Sequence, residues 1–221
     1  MKHGMDGSRL AGFMPLSDLQ QRVAEIVFAL DESEGFALAG GGGLIAHDVV
    51  DRTTRDLDCF GPSRDAVDRY WPAIVGALQE EGFAVEVRVA DHGFAKMIVS
   101  DPVTGDVTQV DVGFDPAGKA AVAMPFGRVR AIDDLAADKL LALFGRAAPR
   151  DFVDVQALRR RFTRRELEAF AAAKDRGFNL TVLRDAFGVL GSLPRSQFEV
   201  DDDTFAEITT EFESWRAELD R

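Results

Sequence analysis

The sequence predicts an α+β fold: a mixed sheet with helices, followed by an α-helical C-terminal half. Three observations predict it. A short apolar run, Phe36 to Ala39, leads through four glycines into a helical stretch. Three later segments alternate apolar and polar residues with period two, and from Ile132 onward every apolar pattern has helical spacing. Residues 1–120 are read as an α/β unit and residues 121–221 as a helical one. The boundary is placed in the Gly-, Ala- and Pro-rich stretch from Gly118 to Gly127.

The elements follow in order. Ser17 is an N-cap, and Leu19, Val23, Ile26, Val27 and Leu30 recur at helical spacing until the chain reaches Gly35. Phe36 to Ala39 is a strand, Gly40 to Gly43 a turn, and Leu44 to Val50 a short helix. Asp56 to Phe60 is a second strand, ended by Gly61 and Pro62. A long helix runs from Ser63 to about Glu81, interrupted or kinked at Pro72. Val85, Val87 and Val89 mark one face of the next strand, and Ala95, Met97 and Val99 mark that of another. After a turn from Pro102 to Asp106, Val110, Val112 and Phe114 mark the core face of a third. The helical half comprises Asp134 to Phe144, Arg150 to Phe162, a helix opened by the capping box Thr163-Arg164-Arg165-Glu166, Thr181 to Leu190, and Asp203 to Leu219. The last of these carries Phe205, Ile208, Phe212, Trp215 and Leu219, a core-packing stripe.

Composition narrows the chemistry. Twenty-six basic against 38 acidic residues give a net charge of −12, so a polyanion must be met by a local basic patch. One cysteine excludes a disulfide framework and a multi-thiolate zinc site and fits a reducing cytoplasm. Met1 to Gly4 lead into no signal-peptide core, and no apolar run approaches the roughly 18 residues of a membrane span. With three histidines, metal chemistry falls mainly to carboxylates, which favour a hard ion such as Mg²⁺.

Asp56-Leu57-Asp58 is the central motif. Residues two apart on a strand share a face, so both carboxylates point one way while Leu57 and Cys59 point the other. Two like charges at this spacing are natural Mg²⁺ ligands, although an isolated Asp-x-Asp is also an ordinary solvated strand end. Asp111, out of phase with Val110 and Val112, lies on the open face of a later strand as a third carboxylate. Asp115 is a weaker candidate by the same alternation. Gly40 and Gly41 open a helix where backbone N–H groups can approach phosphates. The run lacks the Lys-Ser/Thr ending of a P-loop, and a match to a relaxed dinucleotide fingerprint is discounted because the following helix is too short.

The stretch Gly40-Gly41-Gly42-Gly43-Leu44-Ile45-Ala46-His47, followed by Arg52-Thr53-Thr54-Arg55-Asp56-Leu57-Asp58, resembles the AbiEii/MenT group of nucleotidyltransferase toxins in the polymerase-β-like superfamily. There the pattern is Gly-Gly, a helix with a His, then Arg-x-Ser/Thr-x-Asp-Leu/Ile-Asp. One extra residue stands between His47 and Arg52. Leu135 to Lys139, Gly145-Arg146 and Arg150-Asp151-Phe152-Val153-Asp154 are similar to the family's lysine helix and Arg-Asp-Phe-x-Asp segment. The resemblance spans about Phe36 to Leu158.

It implies a polymerase-β-like fold in which the helical half completes the active site. Asp56 and Asp58 would hold Mg²⁺, with Asp111 as a less secure third ligand. Lys139 would contact the nucleotide phosphates, Asp154 would complete the catalytic set, and Arg150, Gly40, Gly41 and Thr54 would shape the nucleotide site. Unaided, Lys139 and Asp154 read as ordinary helix-surface residues. Thr54 is also a candidate for phosphorylation by a kinase-like antitoxin, or simply a turn cap. Arg159, Arg160, Arg161, Arg164 and Arg165 form the one dense basic cluster, which with Arg146, Arg150, Arg128 and Arg130 flanks the predicted active-site Lys139 and Asp154. They are candidates for RNA phosphates or a solvated helix face. The implied activity is transfer of a nucleoside monophosphate from an NTP to an RNA 3′-hydroxyl, at the tRNA acceptor end, blocking translation in the cytoplasm with a cognate antitoxin as partner. Transfer to a small molecule or a protein, or nucleotide binding without turnover, stay open as alternatives.

Overall fold

A computed structural model describes residues 16–221; the N-terminal residues Met1 to Gly4 lie outside the described part. The strands are β1 (Ala37–Leu38), β2 (Asp56–Gly61), β3 (Ala84–Asp91), β4 (Phe94–Ser100), β5 (Val107–Phe114), β6 (Val122–Met124) and β7 (Gly127–Val129). They form one mixed sheet in the order β3-β4-β5-β2-β1-β7-β6. The helices are α1 (Asp18–Ala29), α2 (Gly40–Ala46), α3 (Arg64–Glu80), α4 (Ile132–Arg146), α5 (Pro149–Leu158), α6 (Arg164–Lys174), α7 (Leu180–Gly188) and α8 (Asp202–Leu219).

One sheet face is a core. Leu57 and Cys59 of β2, Met97 and Val99 of β4, and Val110 and Val112 of β5 are fully buried beneath α1 and α3, against Val23, Val27, Val67, Tyr70, Ile74 and Leu78. Period-two alternation therefore leaves Asp56, Asp58, Lys96, Gln109 and Asp111 on the opposite face. The second core lies among the helices, where Leu135, Leu140, Phe152, Leu167, Phe187, Phe212 and Trp215 pack together. Leu44 and Ile45 of α2 belong to this helical core, so the segment after β1 joins the two halves.

The structure departs from the sequence reading at several points. Gly40 to Gly43 are not a turn before a helix but the first residues of α2, which starts at Gly40. Here the absent side chains matter more than propensity: a Cβ on Gly43 would lie 2.8 Å from Leu135 Cδ2, so the glycine lets α2 close on α4. α3 runs uninterrupted through Pro72. A β-bulge between Val87 and Val89 breaks the single face expected of β3, and Val87 is exposed. Phe114 is exposed at the end of β5, with the Arg64 guanidinium 5.5 Å from its ring centre, rather than in the core. Within the stretch expected to divide the halves, β6 and β7 form a hairpin, and β7 pairs in parallel with β1.

Candidate active site

The parallel pairing of β2 with β5 sets Asp58 directly opposite Asp111 and Asp56 opposite Gln109. The three aspartates thus share the open face, as the alternation in each strand implied, and the pairing adds that two of them are cross-strand neighbours. Burial, then the like charges of Asp56 and Asp111, push the Asp58 carboxyl up to about 6, against the pull of Lys139 and Arg150. Burial also raises Asp111, opposed by the Lys96 ammonium, whose Nζ lies 3.4 Å from Asp111 Oδ2. Asp111 Oδ1 is buried with no hydrogen-bond donor. The Thr54 hydroxyl donates to Asp56 Oδ1 at 2.7 Å. Gly40 fits against Asp58: at φ +57° it is in the left-handed region, and its hydrogen occupies space that a Cβ would take from the carboxylate. Gly41 is close to Thr54 Oγ1 and the Arg52 guanidinium in the same way.

This donor set fits a hard divalent cation. It offers three carboxylates on one face, one buried oxygen lacking a donor and a second carboxyl whose charge is disfavoured by its neighbours. The three do not draw one oxygen each to within 4.8 Å. Among the described residues that spacing is reached elsewhere, by Asp65, Asp68 and His92 on the surface where α3 begins and β3 turns into β4.

The helical half contributes a buried ion cluster. Asp154 of α5 is completely buried, forms an ion pair with Lys139 Nζ at 2.8 Å and accepts from Arg52 Nη2 at 3.0 and 3.2 Å. Lys139 and Asp154, one helix apart, are therefore direct partners. Arg52 was part of the matched motif but carried no expected role; that motif was the signal that could have singled it out. Arg150 is exposed on the wall of a cleft of about 560 Å³, which is also lined by Arg52, Thr54, Asp56, Gln109 and Glu199. Glu199 lies in the C-terminal stretch where nothing in the sequence marked a site. His47 donates its Nε2 hydrogen to the Arg130 carbonyl at 2.8 Å, tying α2 to the end of β7.

Other candidates sit apart. Asp115 pairs with Arg130 at 2.6 Å and with Lys174 at 2.7 Å, in a network with Asp138, and does not join the aspartates of the open face. The arginine cluster is largely engaged within the protein. Arg146 makes two bonds to the buried Asp151, and Arg128 caps carbonyls of Ser33 and Phe36. Arg159 and Arg164 share Glu211 of α8, and Arg164 also holds Glu218. Arg161 donates to the Asp48 carbonyl, leaving Arg160 and Arg165 exposed. Acidic residues that α8 brings alongside thus engage Arg159 and Arg164, the charge-balancing alternative to RNA phosphates at those two positions.

Paired aspartates on one strand, a third on its parallel neighbour and a glycine-opened helix against them are the arrangement that the resemblance to nucleotidyltransferases implied. The family model described as "Nucleotidyl transferase AbiEii toxin, Type IV TA system" matches residues 25–220, and the chain belongs to this family. It is thus a nucleotidyltransferase toxin of a type IV toxin–antitoxin system. Among solved structures it is similar to JHP933 from Helicobacter pylori, at 15% identity and a TM-score of 0.57 over 93% of this chain and 95% of that one. It is also similar to MenT4, the nucleotidyltransferase toxin Rv2826c from Mycobacterium tuberculosis H37Rv, at 16% identity and a TM-score of 0.52 over 91% of each chain. These likenesses establish the fold. No curated protein matches the sequence.

Proposed function

We propose that this toxin transfers a nucleoside monophosphate from an NTP to the 3′-hydroxyl of an RNA, at the tRNA acceptor end, and so stops translation. The observation that carries the reading is the side-by-side placement of Asp58 and Asp111 with a buried, donor-less oxygen on Asp111. The acceptor hydroxyl passes its proton to a carboxylate of the aspartate set as its oxygen attacks the α-phosphorus, the bond to the β-phosphate oxygen breaks, and pyrophosphate leaves with the displaced electron pair. Asp56, Asp58 and Asp111 would hold Mg²⁺, which supplies Lewis-acid polarisation of the hydroxyl and charge neutralisation for the leaving group. The Thr54 hydroxyl orients Asp56 through its hydrogen bond. Lys139 lies at the same site, held by Asp154, and presents its ammonium to the phosphates. Arg52 braces Asp154 from the other side, and Arg150 meets the nucleotide from the cleft wall.

The partners are then an NTP, an RNA acceptor and a cognate antitoxin, and the place of action is the cytoplasm. No helix among the described residues is long and apolar enough to cross a membrane. A kinase-like antitoxin would act at Thr54, because a phosphate there sets negative charge beside Asp56 and takes away the hydroxyl donor that orients it. The engagement of Arg159 and Arg164 by Glu211 and Glu218 favours a second reading, a smaller acceptor with fewer phosphates. Incubating the protein and Mg²⁺ with total RNA and each labelled NTP in turn, with Asp56→Ala as control, tests both. Label entering a tRNA-sized band only with the intact protein is the expected result. Turnover without labelled RNA would replace it with the second reading, and nucleotide binding without turnover would overturn transfer altogether.

A further inference from the structure

The segment between α2 and β2 carries Arg52, Thr54 and Arg55 to the cleft, yet it has no regular secondary structure of its own. Its backbone is held from outside. The Thr54 carbonyl accepts from Gln20 Nε2 at 3.0 Å. The Arg55 carbonyl accepts from Thr108 Oγ1 at 3.3 Å and from the Gln109 amide at 3.2 Å. Gln20 Nε2 also lies 3.4 Å from Thr108 Oγ1, and both side chains are almost fully buried.

Gln20 is the third residue of α1 and closes the capping box that Ser17 opens. Its Oε1 accepts from the Ser17 amide at 3.0 Å, while its own amide donates to Ser17 Oγ. A capping box needs only an acceptor at this position, and Glu serves it as well as Gln. The NH₂ group is therefore surplus to the helix, and it is spent on the active-site segment 34 residues away. We propose that Gln20 is a positioning residue. Its amide, relayed by Thr108, holds residues Arg52 to Arg55 so that the Thr54 hydroxyl meets Asp56 and the Arg52 guanidinium meets Asp154. The effect on turnover rests on the nucleotidyl-transfer reading, whereas the effect on the segment does not.

Gln20→Glu separates the two roles, because it keeps the cap acceptor and deletes the donor. Thr108→Val removes the relay without touching α1. For each variant the KM for the NTP is measured alongside hydrogen exchange of the amides of residues 52–56. Loss of one neutral hydrogen bond in Thr108→Val predicts faster exchange confined to that segment and a rise in KM of roughly three- to tenfold, and Gln20→Glu, which also sets a buried carboxylate oxygen against the Thr54 carbonyl, predicts an effect at least as large. A purely structural role would lower the folded fraction, and with it the apparent kcat, and leave KM unmoved. Unchanged exchange at 52–56 in both variants overturns the proposal whether or not the protein transfers nucleotides. So does unchanged KM in an active enzyme, or faster exchange spread along α1. Local exchange without any wild-type turnover would keep the brace and fail only the transfer reading.

Discussion

Gly40 stands where Asp58 needs room: a Cβ on residue 40 would lie 1.7 Å from Asp58 Oδ2. No rotation at residue 40 relieves that contact, because a Cβ is fixed by the backbone, so the Asp58 carboxylate must move instead. Gly40→Ala also places an L-residue at φ +57°, at a cost of about 1–2 kcal/mol. The expected outcome is a folded protein of slightly lower stability whose transfer rate falls about a hundredfold, the usual penalty for displacing a reacting group by about 1 Å. Thermal unfolding and a labelled-NTP assay on the same preparation check it. A variant with full activity would show that the Asp58 carboxylate has room to work from another rotamer.

Asp154 offers a different kind of test, because it is completely buried between two cations. Asp154→Ala leaves Lys139, itself nearly buried, without its counter-charge, and breaking such a pair from one side destabilises by about 3–5 kcal/mol. Asp154→Asn keeps acceptor geometry for one donor and should unfold at intermediate urea. Urea melts of the three proteins rank them wild type, Asn, Ala. If Ala and wild type melt together, Lys139 and Arg52 reach water easily and the cluster is not a buried one.

Asp58 makes a pH signature. Its carboxyl lies near 6 in the folded protein against 3.8 for a free one, so the folded state holds the proton more tightly than the unfolded chain. The stability it contributes is complete below the unfolded value and is lost as the pH rises from about 4 to about 6. Asp58→Asn removes that slope. It should therefore be more stable than wild type at pH 7.5 and no more stable at pH 4, with transfer abolished. Mg²⁺ favours the ionised carboxyl, so its stabilisation of the wild type should grow over the same interval. Urea unfolding of both proteins across pH 4 to 7.5 gives the difference directly. Parallel profiles would mean that Asp58 is not held at raised pKa.

What was readable in the chain was short in range. Alternation put Asp56, Asp58 and Asp111 on open faces because a strand's period is two, and that holds whatever lies beside it. The pairing of Asp58 with Asp111 is a register between strands 53 residues apart, which alternation alone does not carry. Glycine's poor helix propensity makes Gly40 to Gly43 read as a turn, whereas Asp58, Thr54 and Leu135 crowd positions 40, 41 and 43 of the helix so closely that side chains there have no room. The β6–β7 hairpin begins inside the Gly-, Ala- and Pro-rich stretch where the boundary is placed, and its strands are only three residues each, too short for alternation to mark. The partners of the arginine cluster were illegible for the same reason of range: Glu211 sits 52 residues from Arg159, on the far side of two helices in sequence.

Lys96 supplies the test of where the metal goes. It is the cross-strand partner of Asp111, and its Nζ, 3.4 Å from Asp111 Oδ2, is the nearest positive charge that a divalent cation must displace or share. Lys96→Met keeps the aliphatic stem and removes that competitor. A pair still reached by solvent is worth roughly 0.2–1 kcal/mol, so Mn²⁺ binding should tighten by at most about fivefold. Asp111→Asn should weaken binding in either background. Mn²⁺ paramagnetic titration reads this without any nucleotide or RNA. If neither substitution moves the affinity, the cation is bound elsewhere, and the exposed group Asp65, Asp68 and His92 becomes the site to remove, with His92→Ala as the deciding variant.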